Sequence, residues 1–293
     1  MSSQMENWLD KLRVLPQYII PQHYLTSLVY RITRSEIPWL KNNLIKIFIR
    51  VFDVDMTLAK NPDPESYSSF NTFFTRELSP KARPIKLDDY AILCPVDGSV
   101  SQIGQIQNDT IIQAKGKSYT LKDLLVKDKL VKMFSDGTFA TLYLSPKDYH
   151  RIHMPMTGQL SRMIYVPGNL FAVNSHTVRV VDSVFAKNER VINIFNTEIG
   201  PIAMVMVGAL NVGSMETVWA GQITPAQNID KNRVINDTKY SGDGIELGQG
   251  QEMGRFNMGS TVILLFPKDV MEWDAGMMAE KVIVMGEDIG SVK

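Results

Sequence analysis

The sequence predicts an α+β fold, in which an N-terminal amphipathic helical segment (residues 1–60) precedes a strand-dominated domain with sandwich or barrel character (residues 61–293). Two observations predict this fold. Before residue 60, apolar residues recur at helical spacing between prolines. After the turn-rich linker Asn61–Pro64, short runs rich in Val, Ile and Phe alternate with Gly, Pro, Asn and Asp, as is typical of strands and turns. The composition, 44% apolar and 21% charged, is that of a globular protein.

The helical segment is cationic and rich in aromatic residues. Residues 1–50 carry seven Lys and Arg against three Asp and Glu, a net charge of +4, although the whole chain has a net charge of zero. Its clearest helix runs from Trp39 to Phe52, with apolar residues on one face and Lys46 and Arg50 on the other. This helix either docks on the protein's own core or lies in a membrane interface, with cations toward anionic lipid. The sequence leaves both interpretations open.

The composition argues against several classes of protein. The single cysteine, Cys94, cannot form an internal disulfide framework or a multi-cysteine metal site, and we predict no bound metal. A net charge of zero argues against a nucleic-acid partner. The longest uncharged stretch, Val14–Tyr30, contains two prolines and falls short of the about 20 apolar residues that a spanning helix needs. Because no secretory signal is evident, we expect the protein on the cytoplasmic side of the cell membrane.

Within residues 61–293, the longest stretch of helical periodicity predicts a helix over Leu121–Phe134. The predicted strands are the short apolar runs Thr138–Leu144, Arg190–Phe195, Ile202–Val207, Thr261–Phe266 and Lys281–Met285. No internal repeat is evident.

The segment Tyr149–His153 holds two of the four histidines, His150 and His153, with Asp148 directly before it. Two histidines three residues apart can bind a metal, but no further ligand motif accompanies them, so acid–base chemistry near neutral pH is the better interpretation. A second acidic candidate is Asp97, which follows an apolar run and precedes Gly98. By itself, Asp97-Gly98 indicates only a hairpin turn.

Two glycine-containing segments resemble known functional loops without matching them. The segment Gly242–Gly254 departs from the dinucleotide-binding pattern, which favours a flexible loop whose backbone passes close to a site. The segment Met258-Gly259-Ser260-Thr261 lacks the glycine spacing of a serine-hydrolase elbow. In isolation it indicates a turn before a strand.

Taken together, these segments resemble the phosphatidylserine decarboxylase family, specifically its pyruvoyl-dependent, membrane-associated bacterial type. The blocks that carry the resemblance lie in order along residues 70–261. They are Phe70–Arg76 with Arg83-Pro84, Pro95–Gly98, Tyr149–Pro155, Phe171–Asn174, Asn188–Val191, Glu216–Gly221, Gly250–Phe256 and Gly259–Thr261. One departure is Met258, where the family's bacterial members usually carry Leu, and this near-isosteric change puts little in doubt.

The resemblance implies a lyase of phospholipid biosynthesis, made as a proenzyme (zymogen), that decarboxylates phosphatidylserine to phosphatidylethanolamine. It implies autocatalytic cleavage between Gly259 and Ser260, giving a β chain of residues 1–259 and an α chain of residues 260–293. Asp97, His153 and Ser260 would form the self-cleavage triad, with Asp148 as a second acidic group. Ser260 would become the covalent pyruvoyl group that forms a Schiff base with the substrate, and His150 would protonate the carbanion.

The chemistry suits these residue types. Loss of CO₂ from an amino acid leaves a carbanion, which needs an electron sink that ordinary side chains cannot provide. Attack of Ser260 Oγ on the Gly259 carbonyl converts the peptide into an ester. β-Elimination then breaks the chain and leaves dehydroalanine, which hydrolyses to pyruvoyl and ammonia. Gly259 suits the attack because it has no Cβ.

The expected partners are phosphatidylserine and an anionic membrane surface, with the protein bound peripherally. The α and β chains would form a heterodimer, and a dimer of such heterodimers is also compatible with the sequence. Three alternatives remain: a serine hydrolase or autoprotease that uses Asp97, His153 and Ser260, a non-catalytic lipid-binding domain, and a pyruvoyl decarboxylase of a soluble amino acid. An intact chain with esterase activity would favour the first, and lipid binding without CO₂ release would favour the second.

Overall fold

The computed structural model describes residues 2–114, 116–210, 214–224, 234–240, 244–258 and 260–293, and only the backbone of residues 2–7 and 260. Three long helices begin the chain, and five short helices follow. They are α1 (Ser2–Ile19), α2 (Gln22–Thr33), α3 (Pro38–Phe52), α4 (Phe70–Phe74), α5 (Leu121–Leu125), α6 (Asp128–Phe134), α7 (Ser175–Val180) and α8 (Val184–Lys187). A 3₁₀ turn, Pro64–Ser66, lies in the linker region.

Eighteen strands lie in the described ranges. They are β1 (Ala91–Leu93), β2 (Gly98–Gln105), β3 (Thr110–Ala114), β4 (Lys117–Thr120), β5 (Thr138–Leu144), β6 (Arg151–His153), β7 (Gly158–Val166), β8 (Arg190–Thr197), β9 (Gly200–Val207), β10 (Met215–Thr217), β11 (Gly221–Gln222), β12 (Asn236–Lys239), β13 (Glu246–Leu247), β14 (Glu252–Phe256), β15 (Ser260–Phe266), β16 (Met271–Trp273), β17 (Val282–Ile283) and β18 (Asp288–Val292). The predicted α+β, strand-rich fold with N-terminal helices is confirmed.

The strands form antiparallel sheets, of which the largest has nine strands. Its order is β12-β7-β8-β9-β15-β5-β2-β17, and β13 also pairs with β7. The smaller sheets are β11-β10-β14-β6, β1-β18-β16 and β3-β4. Within the described ranges, the large sheet has two open edges, at β12 and β17, so it does not close into a barrel. The strand β15 lies in its interior, paired with β9 on one side and β5 on the other.

The predicted ends of the strands agree best with the structure where nearly every residue of the strand is buried. The strand β5 has the predicted ends, and β15 begins one residue earlier than predicted, at Ser260. The predicted helix Leu121–Phe134 is two helices, because Val126 adopts a left-handed conformation (φ 54°) that ends α5. The predicted strand Lys281–Met285 is only the two-residue β17.

A small apolar cluster fixes α3 to the rest of the protein. Ile45 and Phe48 of α3 contact the buried rings of α4, and the Phe48 and Phe70 ring centroids are 5.1 Å apart. The docked interpretation of α3 is therefore confirmed for this face. On the opposite side, Trp39 and Val51 are 75% and 66% exposed. The helix thus has one face on the core and one apolar face in contact with solvent.

A set of exposed apolar residues lies on all three long helices. Its members are Trp8, Leu12, Leu15, Tyr18 and Ile19 of α1, Tyr24, Leu28 and Ile32 of α2, and Trp39, Ile47 and Val51 of α3. We call this set the apolar helix face. None of the helices in the described ranges is long and apolar enough to cross a membrane. The membrane-interface interpretation of this segment stays a prediction.

Candidate active site

The predicted site residues converge at one end of three neighbouring strands, β15, β5 and β2. Ser260, the first residue of β15, pairs with Leu144, the last residue of β5. Asp97 lies directly before β2, which pairs with the other edge of β5. Because neighbouring strands are about 4.8 Å apart, Asp97 and Ser260 lie at the same sheet end, roughly 10 Å from each other. Gly259 and the side chain of Ser260 lie outside the described residues.

The chain that leads to the Gly259–Ser260 bond runs beside the histidine segment. The strand β14 pairs with β6, and the Phe256 amide donates a hydrogen bond to the His150 carbonyl at 3.0 Å. The next side chain, Asn257, is buried and donates to Glu216 Oε1 at 2.7 Å. Its own oxygen accepts a hydrogen bond from Asn71 at 3.0 Å. The backbone is therefore held on both sides of Gly259.

His153 is oriented by a backbone carbonyl. Its Nδ1 donates to the Gly250 carbonyl at 2.7 Å, so Nδ1 carries the proton. Its Nε2 accepts a hydrogen bond from the Tyr149 hydroxyl at 2.9 Å. Burial lowers the pKa of His153 below its ordinary value, although the Gly250 hydrogen bond and the Glu252 and Asp97 charges oppose this. The ring is therefore neutral at neutral pH, with its basic nitrogen toward Tyr149.

His150 is fully buried and also neutral. Its Nδ1 donates to the Asp148 carbonyl at 2.7 Å, and its ring centroid is 4.1 Å from that of Phe74. Burial lowers the pKa of His150 to about 3. Its Nε2 has no hydrogen-bond partner among the residues that the structure describes. His150 thus offers an uncommitted lone pair in an apolar environment.

The two carboxylates lie in a neighbouring polar cavity of about 200 Å³, which Tyr149 also lines. Asp97 accepts hydrogen bonds from Arg83 Nη2 at 2.8 Å and from the Met285 amide at 2.7 Å. Asp148 accepts one from the Ser145 amide at 2.7 Å, and burial raises its pKa.

Neither carboxylate is hydrogen-bonded to His153 in the described part of the chain. The expected orientation of His153 by Asp97 or Asp148 is therefore replaced by the Gly250 carbonyl. Asp97 lies close enough for its charge to raise the pKa of His153, so it interacts with the ring through space. The roles of Asp97, His153 and Ser260 as a triad stay a prediction.

A second cavity, of about 400 Å³, is lined mostly by apolar residues, including residues near the start of β15. Leu144, the strand partner of Ser260, lines it together with Met258, which precedes the Gly259–Ser260 pair. Phe74, whose ring contacts His150, lies in the same wall. Phe48 and Phe52 bring α3 to its edge. We call it the apolar cavity; it lies between Leu144, the strand partner of Ser260, and the inner side of α3.

Comparison with known proteins gives the family. The model of the phosphatidylserine decarboxylase family matches residues 70–291, and a second model, described as PSD, matches residues 12–53. The chain belongs to the phosphatidylserine decarboxylase family. The phosphatidylserine decarboxylase proenzyme of Nitrosococcus oceani is 50% identical over 285 residues, which are 97% of this chain and 92% of that protein. That of Alkalilimnicola ehrlichii is 54% identical over 259 residues, 88% of each chain. That of Marinobacter nauticus is 50% identical over 287 residues, 97% of this chain and 99% of that protein. The predicted family is confirmed.

Several residues of the family blocks support the fold rather than the chemistry. Arg190 is buried, and its guanidinium donates to the Leu124 and Asp123 carbonyls at 2.8 and 2.6 Å. Asn188 is also buried and binds both the amide and the carbonyl of Phe171. These side chains satisfy backbone groups that no strand or helix satisfies.

Three contributors to the site were not predicted from the sequence: the Tyr149 hydroxyl, the Gly250 carbonyl and Asn257. Tyr149 belongs to the histidine segment, four residues before His153, so its position offered a clue. Gly250 has a positive φ of 76°, and a Cβ there would lie 2.8 Å from Ile85 Cδ1. Glycine therefore lets the chain pass close enough to accept the hydrogen bond of His153. This agrees with the predicted close approach of the Gly242–Gly254 loop, of which residues 242 and 243 lie outside the described ranges.

The buried His150 predicts a specific loss of stability in acid. Its folded pKa is about 3, against an ordinary value of 6.5, so below pH 6.5 the unfolded chain binds a proton that the folded chain does not. The free energy of unfolding should fall as the pH drops from 6.5 toward 3, by up to about 1.4 kcal/mol per pH unit from this residue. In uncleaved protein carrying Ser260→Ala, adding His150→Gln should flatten this fall, as measured by urea unfolding at pH 7, 6 and 5. Equal pH slopes with and without His150→Gln would contradict the prediction.

Proposed function

We propose that this protein decarboxylates phosphatidylserine to phosphatidylethanolamine, using a pyruvoyl group made from its own Ser260 by self-cleavage after Gly259. The observation that carries the proposal is the convergence of two neutral histidines, two carboxylates and the Ser260 backbone at one end of β15, β5 and β2. Membership of the phosphatidylserine decarboxylase family supports the same reaction, and the relatives named above are proenzymes.

In the self-cleavage, Ser260 Oγ attacks the Gly259 carbonyl carbon, the C–N bond breaks, and the peptide becomes an ester with a free amine. Loss of the Cα proton of residue 260 then expels the Gly259 carboxylate and leaves dehydroalanine, which takes up water and releases ammonia. His153 is suited to accept the serine proton because burial keeps it neutral. The proton passes through Tyr149, whose hydroxyl already donates to His153 Nε2 at 2.9 Å. The nearby charge of Asp97 stabilises the imidazolium that forms.

The described residues around position 260 fit a pyruvoyl group. The backbone there is fixed by pairing with Leu144, and the lining of the neighbouring cavity is mostly apolar, which reduces solvation of the reacting centre. The pyruvoyl group would supply a ketone that withdraws electrons from the substrate Cα as CO₂ leaves. His150 holds or returns the substrate's proton at Nε2. The carboxylate and phosphate of the substrate bring negative charge, which raises the pKa of His150 from its value of about 3 in the free protein.

The lipid substrate reaches the site from the apolar helix face. Phe48 and Phe52 of α3 line the apolar cavity, and Trp39 and Val51 of the same helix are exposed. A lipid whose acyl chains stay in the membrane interface can therefore extend its head group toward Ser260 beside α3. This supports peripheral binding to the anionic, cytoplasmic face of the cell membrane, where aromatic side chains bury apolar area and basic residues meet lipid charge.

The proposed α chain, residues 260–293, stays with the β chain after cleavage. Its first strand, β15, lies between β9 and β5, and Val262 to Phe266 are buried. Its last strands pair with β1 and β2 of the β chain. Separating the chains would expose all of these backbone groups and the core side chains, so the proposed product is a tight heterodimer.

The processing prediction concerns Ser260. Ser260→Ala should remain a single inactive chain, because it lacks the hydroxyl that attacks Gly259. Intact mass spectrometry of the parent should show two chains, the smaller resistant to Edman sequencing, together with CO₂ release from phosphatidylserine. Thr261→Val is the matched control, since it removes the adjacent buried hydroxyl and should still be cleaved. A normal two-chain product from Ser260→Ala would refute the assignment.

Substituting the two histidines should abolish different activities. His153→Ala should accumulate uncut proenzyme, because the serine loses its base. His150→Ala should yield cut, pyruvoyl-bearing protein whose turnover falls by roughly 10²–10⁴-fold, the usual range for loss of acid–base help. The measurement pairs a gel assay of cleavage with CO₂ release per pyruvoyl group. Full cleavage in His153→Ala, or normal turnover in His150→Ala, would overturn this division of roles.

The membrane prediction concerns exposed residues of α3. Trp39→Ala with Arg50→Glu should weaken co-sedimentation with anionic vesicles by roughly tenfold or more, because it removes an exposed ring that would bury its area in the lipid and a charge that attracts anionic lipid. Binding of the parent should also fall with salt, which screens charges. Lys46 is left intact because it already pairs with Glu65 at 2.6 Å. Tyr90→Ala removes an equally exposed ring (74%) outside the helices and is the control. Unchanged binding of the double variant would refute the interfacial role of α3.

A further inference from the structure

We propose that Gln17 and Gln22 are positioning residues for this reaction. They hold the segment 168–177, which forms one wall of the apolar cavity, so the N-terminal helices shape the site as well as face the lipid. The proposal rests on the proposed function, because it concerns how the lipid is held beside Ser260.

The segment 168–177 reaches the cavity through its middle. Ala172, Val173 and Asn174 line the cavity together with Phe74 and Leu144. Before α7 begins at Ser175, residues 170–174 belong to no strand or helix. The hydrogen bonds that fix their backbone must therefore come from other parts of the protein.

Two glutamine side chains supply these bonds from the helices. Gln17 Oε1 accepts a hydrogen bond from the Ala172 amide at 2.9 Å, and Gln17 Nε2 donates to Thr177 Oγ1 at 3.3 Å. Gln22 Oε1 accepts one from the Leu170 amide at 2.7 Å. Gln22 Nε2 donates to the Gln17 carbonyl at 2.8 Å, so the two side chains form one connected group.

The residue between Leu170 and Ala172 is held by a side chain from the part of the protein outside the N-terminal helices, which we call the body of the protein. Asn188 accepts a hydrogen bond from the Phe171 amide at 3.1 Å and donates to the Phe171 carbonyl at 2.8 Å. Successive amides of the wall, 170, 171 and 172, are thus bound alternately by the helices and by the body. Because both sides contribute, the wall keeps its place only while α1 and the start of α2 stay docked.

A buried carboxylate fixes α1 to the same segment. Asp10 is 3% exposed and accepts hydrogen bonds from His176 Nδ1 at 2.6 Å and Arg179 Nε at 2.8 Å, both on α7. Meanwhile Trp8 and Leu12 of α1 are exposed in the apolar helix face. One helix therefore carries the lipid-facing residues on one side and the contacts to the cavity wall on the other.

The test uses side chains of similar length. Gln17→Met and Gln22→Met retain most of the volume but remove the hydrogen bonds, whereas Gln17→Glu keeps the oxygen that accepts from Ala172. Turnover is measured with short-chain phosphatidylserine dispersed as monomers, so that vesicle binding does not contribute. We expect normal self-cleavage and a KM about ten- to a hundredfold higher in the Met variants, since displacing a wall by about 1 Å can cost that much. Gln17→Glu should stay within a few-fold of the parent.

A merely structural role would lower the folded fraction, and hence kcat, without raising KM. Gln105→Met is the matched control: it makes the same change at the exposed last residue of β2, at the strand end away from Asp97, and should leave KM for the monomeric substrate unchanged. Hydrogen exchange in uncleaved Ser260→Ala protein tests the contact independently of activity. Adding Gln17→Met should speed exchange of the Ala172 amide, and adding Gln105→Met should not. Unchanged KM or unchanged exchange in Gln17→Met would overturn the proposal, whereas a parent that releases no CO₂ would refute the proposed function instead.

Discussion

The interior position of β15 is the constraint on which the rest of the structure depends. Val262 to Phe266 are buried while their backbone pairs with both β9 and β5. A strand held in this way has little freedom of register, because a shift by one residue would exchange its two faces. Ser260 is therefore fixed opposite Leu144 at the sheet end where Asp97 and the histidine segment arrive. The proposed cleavage point thus lies where a rigid element begins.

The burial that fixes β15 also sets the protonation of the site. His150 and His153 both lose solvation, and both are held by hydrogen bonds to backbone carbonyls rather than to carboxylates. A neutral carbonyl fixes the tautomer without stabilising the charged ring as strongly as a carboxylate would. Both rings are therefore kept as bases. Asp97, which is bound by Arg83, influences His153 only through space.

How much of this was predictable differs between elements. Both ends of β5 and the C-terminal end of β15 follow from uniform apolar runs, because a strand buried on both faces leaves a continuous signature in the sequence. The break at Val126 does not, since helical periodicity continues across it and only the tertiary structure imposes its left-handed conformation. The candidates Asp97, Asp148, His150 and His153 follow from their residue types and spacing, whereas their separate roles and the choice of Ser260 follow from the family resemblance. The Gly250 carbonyl follows from neither, because every residue carries a carbonyl and only the fold decides which one meets a histidine.

The family blocks contain two kinds of polar residue, which the sequence alone does not separate. Asn188 and Arg190 satisfy backbone groups, and Asn71 and Glu216 hold Asn257 two residues before the proposed bond. Such buried polar groups add little net stability, but leaving any of them unpaired is costly, so they favour one backbone arrangement over its neighbours. A self-cleaving peptide requires one fixed backbone arrangement, since the attacking hydroxyl and the carbonyl that it attacks belong to adjacent residues of one chain.

The N-terminal helices contribute hydrogen bonds of the same kind farther from the cleavage point, because Gln17 and Gln22 also bind backbone amides through their side chains. The polar residues thus connect the start of β15 with the surface at which a lipid substrate would arrive.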